Sequence, residues 1–127
     1  MKNLIISIIC LLILTVPWGI YHNYSNRTIN EFKTIIDQQV IPFAEMGDWD
    51  NAEKSFKKII KPWNRYKKIS AYFINTDIVN DTDCRIRKIL YYIKTRDPYN
   101  SIAEAADLQY RLDYLHNNEH PSPDNLL

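Results

Sequence analysis

From Leu4 to Ile20 no side chain carries a charge. Seventeen residues at about 1.5 Å each come close to the roughly 30 Å of a bilayer's hydrocarbon core. A chain of 127 residues that spends its start this way has room for one small domain in water. The first constraint on the fold is therefore a tether, read as a transmembrane signal-anchor over residues 4–21 after a short tail of residues 1–3.

The flanks of the run separate a permanent anchor from a cleaved signal. A secretory signal ends in small residues at its cleavage site. Here Val16-Pro17-Trp18-Gly19-Ile20-Tyr21 offers no such pattern. Trp18, Tyr21 and Tyr24 read instead as aromatic residues at headgroup level. An uncleaved anchor is the favoured reading, with Pro17 near its end. Lys2 and the free amino terminus on one side, against Arg27 and Lys33 on the other, place the N-terminus inside. Residues 22–127 are then extracytoplasmic, outside the cytoplasmic membrane.

Beyond the run the charges balance. All fifteen acidic residues follow Asn30, as do most of the sixteen basic ones, so the soluble part is nearly neutral. That argues against a general nucleic-acid binder. With only Gly19 and Gly47, turn-rich β architectures and Gly-rich phosphate loops are not expected. Cys10 lies in the apolar run and Cys84 far from it, so no disulfide within the chain is expected.

Apolar residues recur at helical spacing from there on. Ile29, Phe32, Ile36, Val40 and Phe43 form one stripe. This segment is expected to continue the membrane helix as a stalk unless Ser25-Asn26 interrupts it. Pro42 marks a frayed end or a kink, and Gly47 a C-terminal stop. Asp48 caps a second helix whose stripe is Ala52, Phe56, Ile59, Trp63, Tyr66 and Phe73, with Ser70 filling one place. Pro62 predicts a kink near Ile59–Lys61, or two shorter helices. After an Asn75-Thr76-Asp77 cap, a third helix to about Thr95 carries Ile78, Thr82, Ile86, Ile89 and Ile93. Asp97-Pro98 opens a fourth, to about His116, with Ile102, Ala105, Leu108, Leu112 and Leu115 inward.

Asp48-Trp49-x-x-Ala52 and Asp97-Pro98-Tyr99 open helices in the same way, about fifty residues apart. The first is similar to a tetratricopeptide helix, but this period exceeds the roughly 34 residues of that repeat. The fold class is all-α: an N-terminal transmembrane helix followed by an up-and-down bundle of two helical hairpins. The bundle spans residues 22–116, with a C-terminal tail over 117–127.

In their order along the chain, these elements resemble a bacterial family without a known activity, domain of unknown function 4363. The resemblance rests on the Lys-tailed membrane helix, Asp48-Trp49-x-x-Ala52, Trp63, Phe73-Ile74, Arg96-Asp97 and the final Asn125-Leu126-Leu127. It implies membrane-anchored helical proteins of Gram-positive bacteria and supplies no catalytic residues.

Candidate sites are few. Lys54, Lys58, Lys61, Arg65 and Lys68 share one helix face, turned away from the apolar seam. They suit contact with an anionic surface, of lipid headgroups or wall polymer. A solvated helix face partly neutralised by Asp77, Asp81, Asp83 or Asp107 is the simpler account. His116 and His120 have a metal-binding spacing but no third ligand beyond Glu119. Tyr91, Tyr92, Tyr99, Tyr110 and Tyr114 suit either a binding groove or helix edges. Cys84 has no base assigned beside it.

Serine-nucleophile, Walker and dinucleotide motifs are absent from the sequence. The expectation is a non-enzymatic interaction module with no cofactor, metal or small-molecule substrate. Its partners are membrane lipid through residues 4–21 and another membrane or envelope protein. The alternative is anionic lipid or wall-polymer binding through the basic face.

Overall fold

The computed structural model describes residues 1–118. Helix α1 (Lys2–Ile35) passes through a π-helical turn (Ile36–Val40) into α2 (Ile41–Glu45). Then come α3 (Trp49–Ser70), α4 (Thr76–Lys94) and α5 (Pro98–Asn118). The rod Lys2–Glu45 rises for roughly 65 Å at 1.5 Å per residue. It packs against α3 and α5, and these pack against α4, so the helices close an up-and-down bundle. No strand occurs among the described residues.

Residues 1–17 are all exposed. The run they contain is long and apolar enough to cross a membrane. Its hydroxyls are satisfied within the helix: Ser7 donates to the Asn3 carbonyl at 2.8 Å and Thr15 to that of Leu11 at 2.9 Å. Ser25-Asn26 does not interrupt the rod. Ser25 is buried, and its hydroxyl lies 2.9 Å from the Tyr66 hydroxyl.

Pro42 neither ends nor frays the first segment. In the π turn the Ile41 N–H bonds to the Ile36 carbonyl, five residues back. The wider turn takes up the strain of a proline that has no N–H to give. It also advances the inward seam by one residue. Ile29, Phe32, Ile36 and Val40 are buried as expected, but Ala44 replaces Phe43 as the last of them.

Closure at Gly47, with φ of +74°, is a Schellman motif. Its N–H bonds to Ala44 and that of Asp48 to Phe43, at 3.2 and 2.9 Å. The corner after α4 repeats this with Arg96 at φ of +58°. There the Arg96 N–H bonds to Ile93 and that of Asp97 to Tyr92, at 3.1 and 3.0 Å. Each corner then hands over to an aspartate cap. Asp48 accepts from the Asn51 backbone and side-chain amides, and Asp97 from those of Asn100. The likeness of the two helix openings is thus a likeness of corners.

Helix α3 runs unbroken through Pro62, so the alternative of two shorter helices does not hold. Pro62 is exposed, so the Lys58 carbonyl that loses its partner faces water. The α3 seam is as expected from Ala52 to Ser70, with Phe73 half-buried beyond it. On α4 the buried position is Val79 rather than Ile78, and on α5 Ser101 rather than Ile102. Ser101 tolerates burial because it donates to the Asp97 carbonyl at 2.6 Å. Helix α5 extends to Asn118, past the expected end at His116.

Candidate functional site

Three surfaces carry the chemistry that the sequence singles out. The first is the end of the bundle next to the apolar run. Tyr21 stacks on Phe73 with ring centroids 4.1 Å apart, and Trp18 lies 6.0 Å from the same ring. Tyr24 and Tyr66 stack at 6.1 Å. Only 3 % of Tyr21 is exposed, and its hydroxyl donates to that of Tyr66 at 3.3 Å. Tyr21 is thus part of the protein core rather than a headgroup contact. The α3–α4 corner folds over it, which sequence spacing does not reveal. Trp18 and Tyr24 are half-buried against the same cluster.

The second surface is the basic face of α3. Lys54, Lys58, Lys61, Arg65 and Lys68 are all exposed, as the helical spacing implies. Lys58 donates to Gln39 at 3.0 Å. Among the described residues none of the five has a carboxylate within ion-pair distance. Three of the four aspartates named as possible neutralisers are engaged elsewhere. Asp83 pairs with Lys67 and Arg87, at 3.4 and 3.1 Å, and Asp81 with Arg85 and Arg111. Asp107 meets Arg85 at 2.5 Å.

Those contacts build a charged seam between α4 and α5, centred on Arg85. Its guanidinium reaches Asp81, Glu104 and Asp107. Burial opposes its charge, but the hydrogen bond to Asp81 and the fields of the three carboxylates outweigh that. They hold its pKa above the usual value. Asp97 is shifted the other way. The Asn100 backbone N–H, then the Asn100 side chain, hold its carboxyl below the ordinary aspartate value.

The third surface is the outer face of α5. Tyr99, Ala103, Ala106, Tyr110 and Tyr114 fall at helical spacing and are all exposed. Tyr91 is exposed on α4, where its ring meets that of Tyr92 edge-on at 6.1 Å. Sequence reasoning names the tyrosines without the two alanines that make this face continuous and uncharged.

The hollows around these surfaces are open. One is a groove between α1 and α5 bridged by Lys33 and Asp113 at 2.6 Å. Another is a shallow recess where Arg96 faces Asp48 and Asp50. No cluster of three or more His, Cys, Asp or Glu side chains is placed to hold a metal ion among the described residues. His116 falls in the last turns of α5, while Glu119, His120 and the closing Asn125-Leu126-Leu127 lie outside the described residues. Cys10 and Cys84 are both free and exposed.

No curated protein and no solved structure matches the chain. A family model does, over residues 21–126, which takes in the whole bundle and its corners but not the apolar run. The chain belongs to the family described as Domain of unknown function (DUF4363).

Proposed function

We propose that this protein is a single-pass, membrane-anchored interaction module on the outer face of the cytoplasmic membrane. It binds another membrane or envelope protein and is not an enzyme. The observation that carries the reading is the outer face of α5. Tyr99, Tyr110 and Tyr114 are exposed there with only alanines between them in the stripe. Tyrosines supply large contact area with few rotamers to freeze, and they recur where binding energy concentrates.

Residues 4–20 supply the anchor: the run is exposed, apolar and long enough to cross a membrane, and its flank lacks the small-residue pattern of a cleaved signal. The flanking charges, Lys2 and the amino terminus against Arg27 and Lys33, favour an N-terminus inside. A photo-crosslinker at Tyr110 in the full-length protein, in living cells, tests the binding face. A discrete adduct is expected that disappears when Tyr114 becomes Lys. An adduct that forms equally from Lys58 on the opposite element would count against α5. A reporter fused after Leu127 tests the side of the membrane, and cytoplasmic activity would overturn the placement.

A second reading, anionic wall polymer or lipid held by α3, is favoured by a separate observation. None of the exposed large apolar side chains lies on α3, while five of its seven cations (all but Lys57 and Lys67) lack carboxylate partners among the described residues. That surface suits a polyanion better than a protein. Replacing Lys54, Lys58, Lys61, Arg65 and Lys68 by Gln separates the readings. Binding to anionic polymer or vesicles that ignores both the substitutions and added salt would sink the second one.

A further inference from the structure

We propose that the corner between α3 and α4, residues 71–75, is a second contact with the membrane surface, at headgroup level beside the anchor. This rests on reading residues 4–20 as a membrane span. Its first support is height. Phe73 sits against Trp18 and Tyr21, with ring centroids 6.0 and 4.1 Å away. The corner is therefore level with the end of the apolar run. The rod has no loop between that run and the bundle, so nothing lifts the corner away from a bilayer that the run crosses.

The second support is composition. Tyr72 is 86 % exposed, with Ala71 exposed beside it. A large ring with a polar tip is the kind of side chain enriched where bilayer meets water. From Lys54 to Thr76 there is no Asp or Glu, so no carboxylate on this stretch repels an anionic leaflet. Lys68, in the last turn of α3, is exposed and has no carboxylate partner among the described residues. Its ammonium sits on a flexible apolar stem suited to lipid phosphate.

The third support is the backbone. A loop that nears hydrocarbon must not leave amides bare. Here the Tyr72 N–H bonds to Ile69 at 3.3 Å, and those of Phe73 and Ile74 bond to Ser70, both at 2.9 Å. Ile74 is buried and closes the corner from within. The surface fits one occupant, an anionic headgroup layer continuous with the lipid around the anchor.

The test uses the full-length protein in vesicles of mixed phosphatidylglycerol and phosphatidylcholine. In a Cys10→Ser, Cys84→Ser background, single spin labels are placed by Leu12→Cys, Tyr72→Cys or Tyr99→Cys. All three sites are exposed, so the core is untouched. Accessibility to oxygen is then compared with accessibility to a water-soluble nickel chelate. The label from Leu12→Cys is expected deep in lipid, that from Tyr99→Cys in water, and that from Tyr72→Cys between them at headgroup depth. If Tyr72→Cys is as open to the chelate as Tyr99→Cys while Leu12→Cys is in lipid, the corner is not a membrane contact and the span reading stands. If Tyr72→Cys is shielded from both reagents, protein covers the corner and the proposal is overturned. If Leu12→Cys is not in lipid, the span reading and this inference fall together.

Discussion

Trp63 of α3 donates its indole N–H to the Asp83 carboxylate of α4 at 2.9 Å. The acceptor is only 14 % exposed and also carries Lys67 and Arg87, at 3.4 and 3.1 Å. One carboxylate therefore joins a buried ring to the charged surface. Asp83→Ala is expected to cost about 2 kcal/mol, the scale for a hydrogen bond to a charged group. Asp77→Ala, at an exposed site, should stay within about 0.5 kcal/mol. Urea denaturation of the two variants makes the comparison, and equal losses would refute it.

The hydroxyl of Tyr66 lies 2.9 Å from Ser25 and 3.3 Å from Tyr21, tying α3 to the rod. Tyr66→Phe is expected to cost about 1 kcal/mol. Ser25→Ala should add less to Tyr66→Phe than it costs alone, because the two groups share one contact. Full additivity in a double-mutant cycle would mean that the contact has no energetic content.

Arg85 and Arg87 are two residues apart on α4, but only Arg85 spans to α5. Arg85→Met is expected to destabilise by roughly 1–2 kcal/mol by stripping a partner from clustered carboxylates. Arg87, 74 % exposed, should tolerate the same change to within about 0.5 kcal/mol. Melts at low and high salt would show this, with the Arg85 deficit shrinking as salt rises.

Pro62 breaks no helix, yet it withholds one hydrogen bond from α3. Pro62→Ala is expected to stabilise the protein by about 2 kcal/mol, less whatever the freer unfolded chain takes back. A lower melting temperature would instead mean that the proline ring is needed by its neighbours Tyr24 and Arg65.

Asp97 gives the pH dependence a sign. Its carboxyl is held below its ordinary value of 3.8 in the folded state by Asn100. The cap's contribution is therefore fully present above that value and is lost as pH falls through the lower folded one. The stability gap between the native protein and Asp97→Asn should be constant near neutral pH and close below about pH 4. A gap that widens on acidification would contradict the assignment.

Period carries far in this sequence. Ala52, Phe56, Ile59, Trp63 and Tyr66 are buried where their spacing puts them, and so are Ile86, Ile89, Leu108 and Leu112. Misplacements gather where the helix departs from its ideal form. The π turn moves the seam from Phe43 to Ala44, and no residue type announces a fifth residue in a turn. Ser101 goes inward because it returns its hydroxyl to a carbonyl four residues back. A polarity scale misses that provision. Arg96 takes a left-handed φ without the glycine that marked Gly47. The burial of Tyr21 depended on where a corner some fifty residues later comes to rest. The basic face was legible as a face, but its freedom from carboxylates depended on Arg85 of α4 and Arg111 of α5 engaging Asp81 and Asp107.

The rod from Lys2 to Glu45 contains no loop. Bearing as well as distance is therefore passed along it. Whatever grips one side of Leu4–Ile20 also sets the compass direction in which Tyr110 and Lys58 look. Two such chains meeting through their apolar runs would present chosen flanks to one another, selected before any other surface touched.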